Sequence, residues 1–177
     1  MIFSRIWAMP SADTFSIKPI GDFVRKYLNG VSVDPFARNN RLATYTNDLN
    51  PNTAADYHMD AVAFLNKLAG DGVKADVVLL DPPYSPRQIS ECYAAAGLTT
   101  SMKDTQSTFW TNVRRSVYPL CRSGTVVLSF GWNSTGMGRA WDTLEIMLVA
   151  HGGAHNDTIC IAQRYDDRQQ TMAEQWG

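Results

Sequence analysis

The chain has 177 residues, 16 basic and 17 acidic side chains for a net charge of −1, and 45% hydrophobic content. That length builds one domain with a core of its own, and a charge so near zero excludes a global basic field as the means of holding nucleic acid. Cys92, Cys121 and Cys160 are odd in number with no CxxC pair, so reduced thiols in a cytoplasmic setting are expected, and no apolar run reaches membrane-spanning length. The charge is unevenly placed. Residues 1–41 carry six basic and three acidic side chains, residues 85–122 five and two, and the chain from Arg139 onward three and six.

Residues 1–14 show no helical period and end in the turn formers Pro10, Ser11 and Asp13; a signal-peptide core is lacking, so no cleavage is expected. Ile20, Phe23, Val24, Tyr27 and Leu28 recur at helical spacing behind Pro19, which suits a first helical turn, and Asn29-Gly30 stops the run. Residues 31–37 read as a short strand ending in Asp34-Pro35-Phe36, and residues 43–51 as a second strand and turn ending at Asp48. An acid at such a strand end is what an α/β fold uses on the two hydroxyls of a ribose, since one carboxylate accepts from both; a surface Asx turn is the plainer alternative. Asp60 then stands where it caps a helix carrying Ala61, Val62, Phe64, Leu65 and Leu68, closed by Gly70-Asp71-Gly72.

Val77, Val78, Leu79 and Leu80 run directly into Asp81, Pro82, Pro83 and Tyr84. Four apolar residues stopped by prolines read as a strand buried on both faces. Ligands of open α/β sheets bind beyond the carboxyl ends of strands, so Asp81 and Tyr84 should face a site. The plainer reading is a strand, a turn and a helix start. A helix with Ile89, Cys92, Tyr93 and Ala96 on one face follows, then a polar linker, then a helix with Phe109, Trp110, Val113, Val117 and Leu120 inward and Arg114 and Arg115 outward, with Arg122 just beyond. A charged helix face is usually only solvated. Residues 125–130 form a further strand, after which Trp132 either walls a pocket or caps the core. Residues 143–150 and 157–162 are two strands whose Gly152-Gly153 connection suits a hairpin. His151 and His155 lack Cys or carboxylate company, so no metal is expected.

Taken in order, these motifs resemble the amino-methyltransferases, and among them the DNA adenine-N6 methyltransferases. Asp81-Pro82-Pro83-Tyr84 resembles motif IV, Asp34-Pro35-Phe36 motif I, the stretch around Asp48 and Leu49 motif II, and the Phe-x-x-Lys of Phe15, Ser16 and Lys18 motif X. The resemblance covers roughly residues 15–163 and implies a Rossmann-like class I fold, a mostly parallel sheet ending in an antiparallel hairpin. It implies a single domain over residues 1–177 with no separate target-recognition domain, because two helices and their linker fill residues 85–124. S-adenosyl-L-methionine is the implied cofactor. Phe15, Ser16 and Lys18 would lie against its methionine part, Asp34 would meet the methionine amino group with Pro35 and Phe36 beside it, Asp48 and Leu49 would hold the ribose, and Asp60 and Ala61 would read the adenine.

Asp81, Pro82, Pro83 and Tyr84 would grip a flipped target base, and Trp132 would wall its pocket. Arg38 or Arg41, with Arg114, Arg115 and Arg122, would face phosphates. The implied reaction is methyl transfer to the N6 amino group of adenine in DNA, without a covalent intermediate or a metal. A homodimer or a partner subunit would supply target recognition. RNA methylation at adenine-N6 or guanine-N2, cytosine-N4 methylation and a non-catalytic subunit are the alternatives. One departure stands out: the family follows motif I with a glycine-rich turn, whereas this chain has Ala37-Arg38-Asn39-Asn40-Arg41. Asparagine is the expected supplier of any left-handed residue there.

Overall fold

The structure, a computed structural model, describes residues 1–83, 93–94, 107–133, 136–153 and 155–167. The expected helix after the central strand lies outside these residues except for Tyr93 and Ala94, and Tyr84 lies outside them altogether. Seven strands are described: β1 (Ile2–Trp7), β2 (Ser32–Asp34), β3 (Tyr45–Thr46), β4 (Val77–Leu80), β5 (Val126–Gly131), β6 (Asp142–Ala150) and β7 (Thr158–Arg164). They form one sheet in the order β1-β6-β7-β5-β4-β2-β3. All neighbours are parallel except β7, which runs antiparallel to both β5 and β6. The expected late hairpin is therefore present as β6–β7, with its second strand folded back between β5 and β6.

Among the described residues three helices accompany the sheet: α1 (Lys18–Tyr27), α2 (Ala61–Gly70) and α3 (Ser107–Val117), the last continued by a 3-10 turn, Tyr118–Leu120. Strand parity assigns the two faces. Val77 and Leu79 pack with Ile20, Phe23 and Val24 of α1, together with Phe130, Met147 and Val149. Val78 and Leu80 pack with Phe64, Leu65 and Leu68 of α2 and with Val113 and Val117 of α3. The four side chains of β4 are all buried, which is why its sequence is continuously apolar rather than alternating. Each such fully buried side chain contributes about 1.5–3 kcal/mol.

β1 is not expected from the sequence. It joins the outer edge of β6 with Ile2 opposite Glu145 and Trp7 opposite Ala150. Both of its faces are largely exposed, so it carries no hydrophobic alternation to read. The element order also fixes where a ligand can sit. The chain leaves β2 toward β3 on one side, then returns to place β4 on the other side of β2. That reversal opens a crevice past the carboxyl ends of β2 and β4, where Asp34 and Asp81 stand. Among the described residues no helix is long and apolar enough to cross a membrane.

Candidate functional site

β2 ends at Asp34, where Pro35 forbids further pairing and the carboxylate accepts the Phe36 N–H at 2.9 Å. Asp34 is 1% exposed. Burial pushes its carboxyl up to about 8; the Phe36 N–H opposes this, and the charges of Asp81 and Asp48 add to it. Burial thus favours the neutral, protonated form of Asp34 at neutral pH.

The next turn holds the departure from the family pattern. Arg38, not an asparagine, adopts the left-handed conformation, at φ 51°, and among the described residues it alone does so without being glycine. Two contacts hold it there. Its N–H donates to Asp48 Oδ2 at 3.1 Å, and its guanidinium donates to the Ala12 carbonyl at 2.6 Å. The guanidinium therefore ties this turn to the loop that precedes α1. Arg41 is likewise engaged internally, donating to the Ala54 carbonyl and pairing with Asp56 at 2.5 Å.

β3 leads into Asn47, which is fully buried and joins three segments. Its amide nitrogen donates to the Pro35 and Met59 carbonyls at 3.1 and 3.0 Å, and its side-chain oxygen accepts the Met59 N–H at 3.1 Å. Its backbone donates to the Asp34 carbonyl and accepts from Ala37, both at 2.8 Å. Asp48 follows, one oxygen accepting from Arg38 and the other from the Asn50 N–H at 2.8 Å. Asp60 caps α2 by accepting the Ala63 N–H at 3.0 Å, as its position in the sequence suggests.

These strand ends surround a cavity of about 630 Å³, within the range of small-molecule sites. Pro35, Phe36 and Arg38 line it from the β2 turn, and Asp48 and Leu49 from the β3 turn. Asp60 and Ala61 line it at the start of α2, and Asp81, Pro82 and Pro83 at the end of β4. Asp34 lies just behind Pro35 and Phe36. Three carboxylates, Asp48, Asp60 and Asp81, each from a separate strand or loop end, therefore line one hollow. Such a field favours a ligand bearing positive charge, with hydroxyl or amino hydrogens to donate.

Other expected site residues lie elsewhere. Phe15 is a core residue, its ring 5.0 Å from that of Phe130, and Lys18 is exposed and paired with Asp22 at 2.5 Å. Ser16 is exposed and donates to the Asp13 carbonyl at 2.7 Å. The segment before α1 reaches the cavity through Ser11, Ala12 and Thr14 instead. Trp132 stands 43% exposed just past the carboxyl end of β5, on the same edge of the sheet as Asp81.

Arg114 lies over the Trp110 ring at 5.8 Å, and Arg115 is exposed. Both are on α3, whose Phe109 lines the cavity and sits 6.3 Å from the Phe36 ring. Arg122 pairs with Asp76 at the opposite end of the strands, so it does not belong to the rim; that guanidinium holds the Asp76 carboxyl below the ordinary range. His151 Nδ1–H donates to the Ala8 carbonyl (2.8 Å) and its Nε2 shares a hydrogen bond with the Thr158 hydroxyl (2.9 Å), which makes it a tie between strands. Among the described residues no cluster of three His, Cys, Asp or Glu is arranged to hold a metal.

Asn47, Met59, Tyr93 and Phe109 also line the cavity, and for Met59, Tyr93 and Phe109 nothing in the sequence marks them as site residues. The signal for Asn47 is its place before Asp48 at a strand end, where a buried amide can serve several backbone groups at once. The chain matches no protein-family model and no curated protein.

Proposed function

We propose that this protein is a Rossmann-like methyltransferase that uses S-adenosyl-L-methionine to methylate the N6 amino group of adenine in DNA. The observation that carries the reading is the convergence of Asp48, Asp60 and Asp81 on one cavity, with Asp34 beneath it, beside the rigid Pro82-Pro83 turn. The donor set suits this cofactor, which bears an ammonium, a sulfonium, two ribose hydroxyls and an adenine amino group. Asp34 offers a carboxylate to the ammonium, Asp48 an acceptor for the ribose and Asp60 one for the adenine. The strand order supports the same class, since the resemblance implies a mostly parallel sheet finished by an antiparallel hairpin.

When bound, the cofactor supplies an electrophilic methyl group. The residues of this chain do the rest. Asp81 and a proline carbonyl accept the two hydrogens of the target amine, which localises the nitrogen lone pair and stabilises the positive charge that grows there. Asp81 lines the cavity, which supports this role, and Phe36 and Phe109 supply apolar walls that keep water from the transfer. Tyr84, by the motif resemblance, stacks on the flipped base. Arg114 and Arg115 sit five and six residues beyond Phe109, roughly 8–9 Å farther along the helix axis, within reach of a passing phosphate backbone.

The test is incubation with methyl-labelled S-adenosyl-L-methionine and either unmethylated genomic DNA or RNA, followed by nucleoside analysis. N6-methyladenine in DNA is the expected product. Label in RNA alone moves the substrate to RNA, and label on cytosine moves the target base. Calorimetric binding without transfer to any acceptor identifies a non-catalytic subunit, and absence of binding overturns the reading.

A further inference from the structure

Among the described residues the most exposed apolar surface lies on β1. Met1, Ile2, Phe3, Ile6, Trp7 and Met9 are six of the large hydrophobic residues the fold leaves exposed, and the four within the strand are 45–66% exposed. β1 pairs with β6 on one side only; among the described residues nothing pairs with its other edge. Ala8 donates its N–H to the Ala150 carbonyl at 3.1 Å, so alternate residues Ser4, Ile6 and Ala8 turn their backbone groups toward β6. Phe3, Arg5 and Trp7 then direct theirs outward. Natural edges are usually blunted by charged side chains, proline, shortness, a bulge or a covering element, and of these β1 carries only the charge of Arg5. This one is six residues long, regular and without proline, and among the described residues no helix covers either of its faces.

We propose that this edge is a homodimer interface, in which β1 of two copies pairs antiparallel across a twofold axis at Ser4 to make one fourteen-stranded sheet. The sequence of the strand selects a second copy as the occupant. A twofold axis normal to the sheet keeps each side chain on its own face, so residues opposite one another share parity. Two registers then overlap most of the strand. Centring on Arg5 sets two guanidinium groups directly opposite, which is destabilising.

Centring on Ser4 places Ile2 opposite the partner's Ile6 on one face, and Phe3 opposite the partner's Arg5 on the other. Both arrangements repeat across the axis. The first buries aliphatic against aliphatic, and the second lets a guanidinium lie against an aromatic ring. It also makes Phe3 and the partner's Arg5 the pair that exchanges N–H···O bonds, in keeping with their outward backbone groups. The pattern apolar, aromatic, Ser, Arg, apolar, aromatic is thus self-complementary in one register. The sheet order puts β1 at the far edge from β2 and β3, so dimerisation leaves both cavities open. The inference does not depend on the function proposed above.

Antiparallel pairs without mutual hydrogen bonds bring Cα atoms to about 4.5 Å, within the disulfide range of about 4.4–6.8 Å. Ser4 occupies such a pair with itself. The experiment is Ser4→Cys in a chain also carrying Cys92→Ser, since Cys121 and Cys160 are buried. Mild oxidation should give a covalent dimer on a non-reducing gel, while Arg5→Cys in the same background should remain largely uncrosslinked. Sedimentation of the unaltered protein over a concentration series should show a monomer–dimer equilibrium. Ile6→Lys should shift it at least tenfold toward monomer with an unchanged circular dichroism spectrum, and Leu42→Lys, a distant exposed apolar position, should not. Crosslinking through residue 5 rather than 4 overturns the register. A monomer at every concentration, or open-ended oligomers in place of a closed dimer, overturns the proposal.

Discussion

Replacing Asp34 by Asn tests whether the buried acid is held in readiness for a cation. Its carboxyl is moved from an ordinary 3.8 to about 8, first by burial. The sign follows from proton linkage. Between those two values the folded chain binds more protons than the unfolded one, so the contribution of Asp34 to stability is greatest at low pH. It is lost progressively as pH rises toward 8. At about 1.4 kcal/mol per unit, linkage sets a ceiling of about 4 kcal/mol at pH 7, and relaxation and water entry lower it. Asparagine keeps an oxygen for the Phe36 N–H and has no charge to desolvate. Ligand-free Asp34→Asn should therefore be about 1–3 kcal/mol more stable than the parent at pH 8 by urea unfolding, with little gain near pH 5.

The same variant should bind S-adenosyl-L-methionine poorly, because the neutral amide cannot replace a carboxylate beside an ammonium. In the parent, binding at pH 7 should release a proton as the protonated acid gives way to the ligand cation. Calorimetry in two buffers of different ionisation enthalpy reads that release directly. A stability difference that is constant across pH, together with no proton release, would refute the role assigned to Asp34.

Asp81→Ala should abolish methyl transfer while cofactor affinity stays within a few-fold; near-normal turnover would sink its assignment to the target amine. Asp48→Asn keeps one oxygen for the loop but loses charged acceptor capacity toward the ribose. It should weaken cofactor binding by about 1.5–3 kcal/mol, and unchanged affinity on titration would reduce Asp48 to a turn residue. Arg38→Gly and Arg38→Ala both remove the tie to Ala12, so their difference in melting stability isolates the left-handed backbone; glycine should be the better by about 1 kcal/mol, and equality would mean the turn has relaxed. Arg114 and Arg115 replaced together by Ala should weaken DNA binding and flatten its salt dependence by about one slope unit for each phosphate no longer met, and an unaltered slope would make that helix face merely solvated.

The parts of the fold legible in the sequence are those whose burial imposes a pattern. β4 reads as a strand because both its faces are covered, and α1 and α2 read as helices because one stripe of each is buried. The acids at strand ends are legible for a related reason: Asp81 interrupts an apolar run, and Asp34 and Asp48 each follow a short β-prone stretch, where the sheet stops. β1 leaves no such trace, since an edge strand exposed on both faces has no inner side to mark. The insertion of β7 between β5 and β6 is a long-range choice that no local period records. Arg38 defeats the expectation for its turn because a bulky residue becomes left-handed only when distant groups, here Asp48 and Ala12, hold it. Phe15 shows the converse. A motif-like spacing places it at the cofactor, whereas its size and apolarity send it into the core against Phe130.

Asn47 carries a consequence for what the cavity can accept. One side chain fastens the Pro35 and Met59 segments together, so the distance from Asp34 to Asp60 is set by the folded chain before any ligand arrives. The hollow then acts as a ruler. A compound with the correct groups at one end but one bond too long cannot be met by a shift of the opposite wall, because that wall is pinned to the first by a buried amide. Under the proposed function, selectivity for overall ligand length would reside in Asn47, which lines the cavity but gives its amide to the chain itself. Shortening Asn47 would blur that measure while every contacting carboxylate remained in place.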